Sequence, residues 1–146
     1  MTVGAWIVVA AVALALGFGG YRVLTDGRFR HTRPATEEAA EDETTWTHVA
    51  AAVPGATLGE RATLLQFSSA FCAPCRATRR TLSEVADLVP GVLHLEVDAE
   101  QHLDLVRRLD VRRTPTTLVL DGSGRQVTRA SGAPRKEQVL SVLADA

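Results

Sequence analysis

Residues 72–75 of this chain, Cys-Ala-Pro-Cys, stand between two different apolar patterns. The pattern before them, residues 63–67, is a short apolar run typical of a buried strand. The pattern after them runs to Val89 with apolar residues on one helical face, and Pro90-Gly91 ends it. The sequence therefore predicts a strand, a tight loop and a helix that begins at the first cysteine.

The chain from Trp46 onward continues to alternate between strand and helix patterns. Strands are predicted at residues 92–97, 116–120 and 125–130, and helices at 47–53, at 102–109 and after Pro134. Residues 121–124, Asp-Gly-Ser-Gly, form a predicted hairpin turn, because glycine tolerates positive φ. The last strand is then expected at the sheet edge. This order predicts an α/β domain over residues 46–146, with a mixed central sheet flanked by helices.

The N-terminal segment has a different character, since residues 3–20 contain no charge. Eighteen or so apolar residues match the hydrocarbon thickness of a bilayer, and Trp6 and Tyr21 lie near its two interfaces. A cleaved secretory signal is the main alternative, with Ala13 and Ala15 resembling a cleavage site, but no basic segment precedes the run. A buried core helix is the third possibility. We interpret residues 1–22 as a single transmembrane anchor.

Arginines follow this segment closely and predict its orientation. Arg22, Arg28, Arg30 and Arg33 all lie just after the apolar run. Because such cations stay on the cytoplasmic side, we expect a single-pass protein of the cell membrane with its main domain in the cytoplasm. Residues 23–45 are basic and then acidic, without an apolar period, and are predicted to be a flexible linker.

Composition narrows the function. The formal net charge is −1 and aromatic residues make up 5%, which argues against a nucleic-acid partner. The two cysteines are the only ones in the chain, three positions apart. A disulfide across so short a loop removes little entropy from the unfolded chain, so it is a poor structural staple. Such a pair indicates either redox chemistry or half of a metal site.

A helix that begins at Cys72 would make this cysteine reactive. The thiolate is the attacking species, and free N–H groups at a helix N-terminus stabilise negative charge. Pro74 suits the first helical turn, where an N–H has no partner to lose. Arg76, Arg79 and Arg80 either reinforce the positive field or form an ordinary solvated face. These features predict that Cys72 attacks a disulfide and that the more buried Cys75 resolves the mixed disulfide.

A zinc site is the first alternative. Zinc needs four ligands, and the cysteines supply two. His94 and His102 are the remaining candidates, but their separation exceeds the usual spacing, so no metal is expected. Two inert buried cysteines are the other alternative.

Several separated motifs resemble the thioredoxin family over about the last hundred residues. Cys72-Ala73-Pro74-Cys75 stands where thioredoxins have Cys-Gly-Pro-Cys, and Thr114-Pro115-Thr116 resembles the family's cis-proline loop. Val97-Asp98 is similar to the strand end before the third helix of the family. Gly132, followed by Lys136 and Gln138, resembles its last loop and helix.

The resemblance implies a thioredoxin-like fold and a thiol–disulfide oxidoreductase. It implies that the Thr114–Pro115 bond is cis and packs against the cysteines, leaving the Thr114 backbone free to pair with an extended substrate. An ordinary trans proline is the alternative. The substrate surface would comprise Phe71, Ala73, Pro74, Thr114, Pro115 and Gly132. No cofactor is expected beyond the redox-active disulfide, only an electron donor such as a disulfide reductase.

Departures from the family concern the proton of Cys75. Gln66 stands where thioredoxins carry a buried acid, and His94 stands where they carry its lysine partner. Phe71 and Ser68 replace two tryptophans. We hypothesise that His94, or a water held by Gln66, helps to deprotonate Cys75.

Three functions remain open from the sequence. The leading one is reduction of protein disulfides near the membrane, in a reducing cytoplasm. The second places the same chemistry outside the cytoplasm, as an oxidant or as a reductant in cofactor maturation. The third is a non-catalytic binding module with this fold.

Overall fold

A computed structural model of the chain describes residues 3–25, 29–31 and 44–145. The helices are α1 (Val3–Thr25), α2 (Thr45–Ala52), α3 (Ala73–Leu88), α4 (Leu103–Arg108) and α5 (Lys136–Asp145). The strands are β1 (Phe29–His31), β2 (Ala62–Ser68), β3 (Val92–Asp98), β4 (Thr116–Asp121) and β5 (Gln126–Ser131). From α2 onward, the predicted order of helices and strands is confirmed.

The five strands form one mixed sheet in the order β1-β5-β4-β2-β3. Strands β2 and β3 are parallel, whereas β4 is antiparallel to both β2 and β5. The parallel pair is connected through α3, as a parallel connection requires a long crossover. The predicted mixed sheet flanked by helices is therefore confirmed.

The central strand β2 is buried on both faces and divides the core in two. Leu65 and Phe67 pack on one face with residues of α2 and α4. Leu64 packs on the other face with residues of α3 and α5. Each such side chain contributes about 1.5–3 kcal/mol by its burial. Because side chains alternate along a strand, Gln66 points to the same face as Leu64, toward α3.

The register between β2 and β3 places two further polar residues on the α3 face. Leu64 pairs with His94, and Gln66 pairs with Glu96. Paired residues of neighbouring strands point to the same face of the sheet. His94 and Glu96 therefore lie under α3, beside Gln66.

The end of the sheet next to β5 differs from the prediction. Phe29–His31 forms the strand β1, antiparallel to β5, with Phe29 opposite Ala130. The prediction that the last strand lies at the sheet edge is therefore wrong, because three residues of the predicted linker pair with it. A three-residue strand has no alternation long enough to be recognised in a sequence. Of the remaining predicted linker, residues 23–25 form the end of α1, and Thr44 and Thr45 lie at the start of α2. Residues 26–28 and 32–43 lie outside the described residues.

The helix α1 is long and apolar enough to cross a membrane over residues Gly4–Tyr21. In the described part of the chain these residues are exposed rather than packed against the domain. A signal sequence near an N-terminus has the same length and composition. The structure thus supports one apolar N-terminal helix.

The hairpin turn and the start of the last helix agree with the sequence prediction. Gly124 has φ +82° and closes the hairpin between β4 and β5. Its carbonyl oxygen accepts a hydrogen bond from the N–H of Trp46, 3.0 Å away, so the hairpin also holds the start of α2. The final helix begins at Lys136, two residues beyond Pro134, and the Gln138 side chain caps it by accepting from the Arg135 N–H at 2.9 Å.

Candidate active site

The loop after β2 carries Cys72 to the start of α3. Cys72 is the N-cap residue of this helix, and its Sγ accepts a hydrogen bond from the backbone N–H of Cys75 at 3.1 Å. Pro74 lies within the first turn, where it removes no helical hydrogen bond. The sulfur of Cys72 thus sits where the helix presents unpaired N–H groups and its positive dipole end. An anion at this sulfur is stabilised.

Cys72 and Cys75 are joined in a disulfide with their Cα atoms 5.2 Å apart. Cys72 is partly exposed, whereas only 2% of Cys75 is accessible to solvent. A disulfide that approaches from outside therefore reaches Cys72 before Cys75. The prediction that Cys72 attacks and Cys75 resolves depends on this difference in exposure.

The proline loop lies beside the cysteine loop. The Thr114–Pro115 peptide bond is cis, as the sequence comparison with thioredoxins implied. The hydroxyl groups of Ser69 and Thr114 are hydrogen-bonded at 3.0 Å, which ties the two loops together. The Gly132 N–H donates to the carbonyl oxygen of Pro115 at 2.8 Å and brings the predicted third segment to the same place. Packing of Pro115 against the cysteines stays a prediction.

The side chains around this junction present an open surface. Phe71 is fully exposed next to Cys72, and Ala73 and Pro74 are exposed on the first turn of α3. They lie in the same cysteine loop that Ser69 ties to the proline loop. The structure thus brings the predicted substrate-binding residues to one end of the sheet.

A hydrogen-bonded chain runs beneath α3. The amide Nε2 of Gln66 donates to the carbonyl oxygen of Cys75 at 3.0 Å, so its Oε1 faces His94 Nε2 at 3.1 Å. Since Oε1 only accepts, the proton of the neutral imidazole lies on Nε2, and Nδ1 accepts from the Ser83 hydroxyl at 3.0 Å. Burial lowers the pKa of His94; Glu96 opposes this effect and Arg79 adds to it. His94 is therefore held in its neutral form.

The series of hydrogen bonds from Ser83 through His94 and Gln66 ends at the backbone of Cys75. Gln66 and His94 lie near the resolving cysteine, as the sequence indicated, but both ring nitrogens of His94 are taken up by Gln66 and Ser83. The amide of Gln66 is directed to the Cys75 carbonyl oxygen. A role of these two residues in deprotonating the Cys75 sulfur stays a prediction.

A cleft of about 340 Å³ opens next to the disulfide. Its lining residues are Ser68, Ser69, Ala70, Cys72, Cys75, Arg76, Arg79, Glu96 and Asp98. The guanidinium of Arg79 binds both oxygens of Glu96, with Nε 2.6 Å from Oε2 and Nη2 2.9 Å from Oε1. Burial acts to raise the pKa of Glu96, but hydrogen bonds from Arg79 and Ser68, and the Arg79 charge, outweigh it and lower the pKa overall. Glu96 is therefore an ionised group beside the cysteines.

The residues weighed as zinc ligands are used otherwise. Both cysteine sulfurs are in the disulfide, and His102 Nδ1 donates to the carbonyl oxygen of Asp98 at 3.0 Å. Across residues 3–25, 29–31 and 44–145, no cluster of His, Cys, Asp and Glu is placed to hold a metal ion.

Four side chains of this site make contacts that the sequence does not reveal. They are the hydroxyl groups of Ser69, Ser83 and Thr114 and the carboxylate of Glu96. A partial signal exists for Glu96, since His94 and Glu96 occupy alternate positions of β3 and must share a face. Which face it is, and which helical residue covers it, depends on how α3 lies across the sheet.

A mixed sheet, a helix that begins at a Cys-x-x-Cys disulfide and a neighbouring cis-proline loop define a thioredoxin-like dithiol site. The thioredoxin family model matches residues 45–145, and the chain belongs to the thioredoxin family.

Known thioredoxins resemble this chain in sequence. Thioredoxin H4-1 of Oryza sativa subsp. japonica is 33% identical over 84 residues, covering 56% of this chain and 63% of the relative. Thioredoxin H-type of Fagopyrum esculentum is 31% identical over 81 residues, covering 56% and 68% respectively. The chain thus spans about three-fifths to two-thirds of the length of these relatives.

Solved structures agree on the fold. The thioredoxin of Fasciola hepatica superposes with a TM-score of 0.53 at 24% identity, covering 60% of this chain and 82% of that one. A mutant thioredoxin from Halobacterium salinarum NRC-1 gives 0.55 at 19% identity, covering 59% and 74%. These similarities show the thioredoxin fold.

Proposed function

We propose that this chain is a thiol–disulfide oxidoreductase that reduces disulfides in proteins. The observation that carries the proposal is the position of Cys72, a partly exposed residue whose Sγ accepts a hydrogen bond from the Cys75 N–H at the start of α3. This environment favours the thiolate, which is the form that attacks a disulfide. Cys75, buried one turn away, is positioned to complete the exchange.

The reaction takes two exchange steps. The Cys72 thiolate attacks one sulfur of the client disulfide, forms a mixed disulfide and releases the other client sulfur as a thiolate. The Cys75 thiol loses its proton to a water molecule, with or without help from His94 and Gln66, and its sulfur attacks Cys72 Sγ, releasing the second client thiolate. The client gains two electrons, and the protein ends with the Cys72–Cys75 disulfide. An external donor such as a disulfide reductase restores the dithiol, and no metal or organic cofactor takes part.

The client binds as an extended segment along the proline loop. The Thr114 backbone is the group that pairs with it, as in β-strand addition. Phe71 offers an apolar contact next to the reactive sulfur, and Gly132 lies beside Pro115 through its N–H bond to the Pro115 carbonyl oxygen.

We also propose that α1 anchors the protein in the cell membrane, with the domain on the cytoplasmic side. The support is its length and apolar composition, together with Arg22 in its last turn and Arg28, Arg30 and Arg33 after it. A C-terminal reporter that is active only in the cytoplasm tests the orientation. Activity only on the outer side would instead favour an extracytoplasmic oxidant or a reductant in cofactor maturation.

Turnover of a protein disulfide with excess dithiol tests the activity. Cys72→Ser is expected to abolish turnover. The matched Cys75→Ser, first reduced and then mixed with the protein disulfide after the dithiol has been removed, should accumulate a mixed disulfide that mass spectrometry detects. A wild-type chain without turnover, or a Cys72→Ser variant with normal turnover, would favour a non-catalytic binding module. The reduction potential of the pair then distinguishes a reductase, with a low value, from an oxidant.

A further inference from the structure

The Arg79–Glu96 ion pair bridges two elements beside the resolving cysteine. Arg79 follows Cys75 by one helical turn on α3, so both lie on the same side of the helix. Its guanidinium reaches both carboxylate oxygens of Glu96 on β3. Nη2 donates a hydrogen bond to Oε1 at 2.9 Å, and Nε forms an ion-pair contact with Oε2 at 2.6 Å. A two-point contact of this kind fixes the orientation of the guanidinium as well as its position.

This pair belongs to the cleft that both cysteines line. Arg79 and Glu96 are both among the residues that line it, whereas Arg80, the next residue on α3, is not. The side chains of Arg79 and Glu96 are 55% and 23% exposed, so the pair is partly open to water. One cation and one anion, paired with each other, therefore share this cleft with Cys75.

Glu96 is unsuited to accept the Cys75 proton. It is bound by Arg79 and by the Ser68 hydroxyl, and its pKa lies below its ordinary value despite partial burial. A carboxylate that holds a proton so weakly is a poor base toward a thiol. Its influence on the cysteines is through its charge and through the position that it gives to Arg79.

We propose that Arg79 and Glu96 are positioning residues of opposite sign, and that their balance sets how fast Cys75 resolves the mixed disulfide. Arg79 favours the Cys75 thiolate, and Glu96 both holds Arg79 in place and partly offsets its charge. This inference rests on the proposed function, since it concerns the second exchange step.

The other charged groups near Cys75 are few. Those that line the same cleft are Arg76 on α3 and Asp98 on β3. His94 lies behind Gln66 in its neutral form, and the facing residues of β2 and β4, Gln66, Ser68 and Thr117, carry no charge. Removing either member of the ion pair therefore changes the local charge by one unit in a known direction.

An aryl disulfide with a coloured leaving thiol separates the two steps. Reduced protein releases one aryl thiolate when Cys72 attacks and a second when Cys75 displaces it from Cys72. The rate of the second release, measured against pH, gives the apparent pKa of the resolving step. Arg79→Gln should raise this pKa and Glu96→Gln should lower it, each by about half a unit or more, since opposite charges shift a thiol in opposite directions.

Two controls accompany these variants. Arg80→Gln removes the same charge from the neighbouring residue outside the cleft and should leave the second release unchanged. The double variant Arg79→Gln with Glu96→Gln restores the net charge and should return toward the wild-type profile.

The outcomes separate this inference from the proposed function. Shifts of opposite sign for the two single variants support it. Shifts of the same sign, no shift, or an equal shift in Arg80→Gln overturn it while a normal wild type leaves the proposed function intact. A wild-type chain that releases no aryl thiolate contradicts the proposed function, and this inference with it.

Discussion

The hydroxyl oxygens of Ser69 and Thr114 lie 3.0 Å apart and join the cysteine loop to the cis-proline loop. The two residues are 45 positions apart in the sequence. Ser69 follows the last residue of β2, and Thr114 lies two residues before the first residue of β4. The contact therefore sets the spacing between the reactive sulfur and the backbone that would receive a client.

Ser69→Ala is expected to lower kcat/KM for a protein disulfide about 3–10-fold, because a hydrogen bond of this kind contributes about 1 kcal/mol. Thr114→Val should have the same effect, and the double variant should lose little more, since both changes remove one contact. An aryl disulfide does not use the proline loop and serves as the control. Equal losses on both substrates, or additive losses in the double variant, would contradict this role.

Thr117 and Thr116 allow a matched test of buried hydroxyls in β4. Both are buried, but the Thr116 Oγ1 donates to the Arg113 carbonyl oxygen at 2.8 Å. Within the described residues, the Thr117 Oγ1 has no hydrogen-bond partner. Thr117→Val should therefore raise the free energy of unfolding by about 1 kcal/mol, and Thr116→Val should lower it by about as much. Denaturant unfolding of the oxidised protein measures both, and changes of the same sign would contradict the assignment.

The stability of the domain should depend on pH through His94. Its pKa in the folded chain lies below its ordinary value of 6.5, so folding favours the neutral ring. The stability that follows from this preference is fully present above the pKa of His94 in the unfolded chain. It is lost as the pH falls through the lower pKa of His94 in the folded chain. From about pH 7 to about pH 5, the wild type should thus lose stability relative to His94→Gln. A constant difference between the two proteins would contradict the shift.

His94→Gln also tests the proton-relay hypothesis. If His94 helps to deprotonate Cys75, the second release from the aryl disulfide should slow several-fold near neutral pH. General base assistance contributes about 100-fold or more when it is direct, and less when it acts through Gln66. Ser83→Ala, which removes only the partner of Nδ1, is the milder control. An unchanged second phase in His94→Gln would exclude the relay.

Gly124 and Gly55 separate two costs of an added methyl group. Both have positive φ, +82° and +80°, so alanine is strained at either position. At Gly55 the added Cβ meets open space, whereas at Gly124 it meets the Cβ of Trp46. Gly55→Ala should cost about 1 kcal/mol of stability and Gly124→Ala roughly 2–3 kcal/mol. Equal losses of stability in the two variants would mean that backbone strain alone, and not the contact with Trp46, causes the destabilisation.

Much of the site could be predicted because its signals are local. The start of α3 at the cysteines follows from an apolar strand, a proline in the first turn and a helical stripe that ends at Pro90. The proline loop needed the additional likeness to a known family. Gln66 and His94 attracted attention only because they depart from that family.

Other contacts depend on tertiary packing. The sequence left open whether Arg79 belongs to a solvated face. Its bond to Glu96, 17 positions further along the sequence, follows from the way α3 crosses β3. Ser83 meets His94 for the same reason. Strand β1 escaped prediction because Phe29–His31 is too short to show a period and gains its hydrogen bonds from β5.

The pairing of β1 with β5 limits how far the domain can move from the end of α1. A free linker of 23 residues would let a domain wander about 26 Å from its attachment. With Phe29 already in the sheet, only residues 26–28 separate the domain from Thr25, a distance of at most about 15 Å. If α1 is held in a bilayer, the catalytic end of the sheet samples a thin layer next to the lipid, and disulfides within that layer are met at a high effective concentration. Client choice would then be set by height above the membrane before any side chain is recognised.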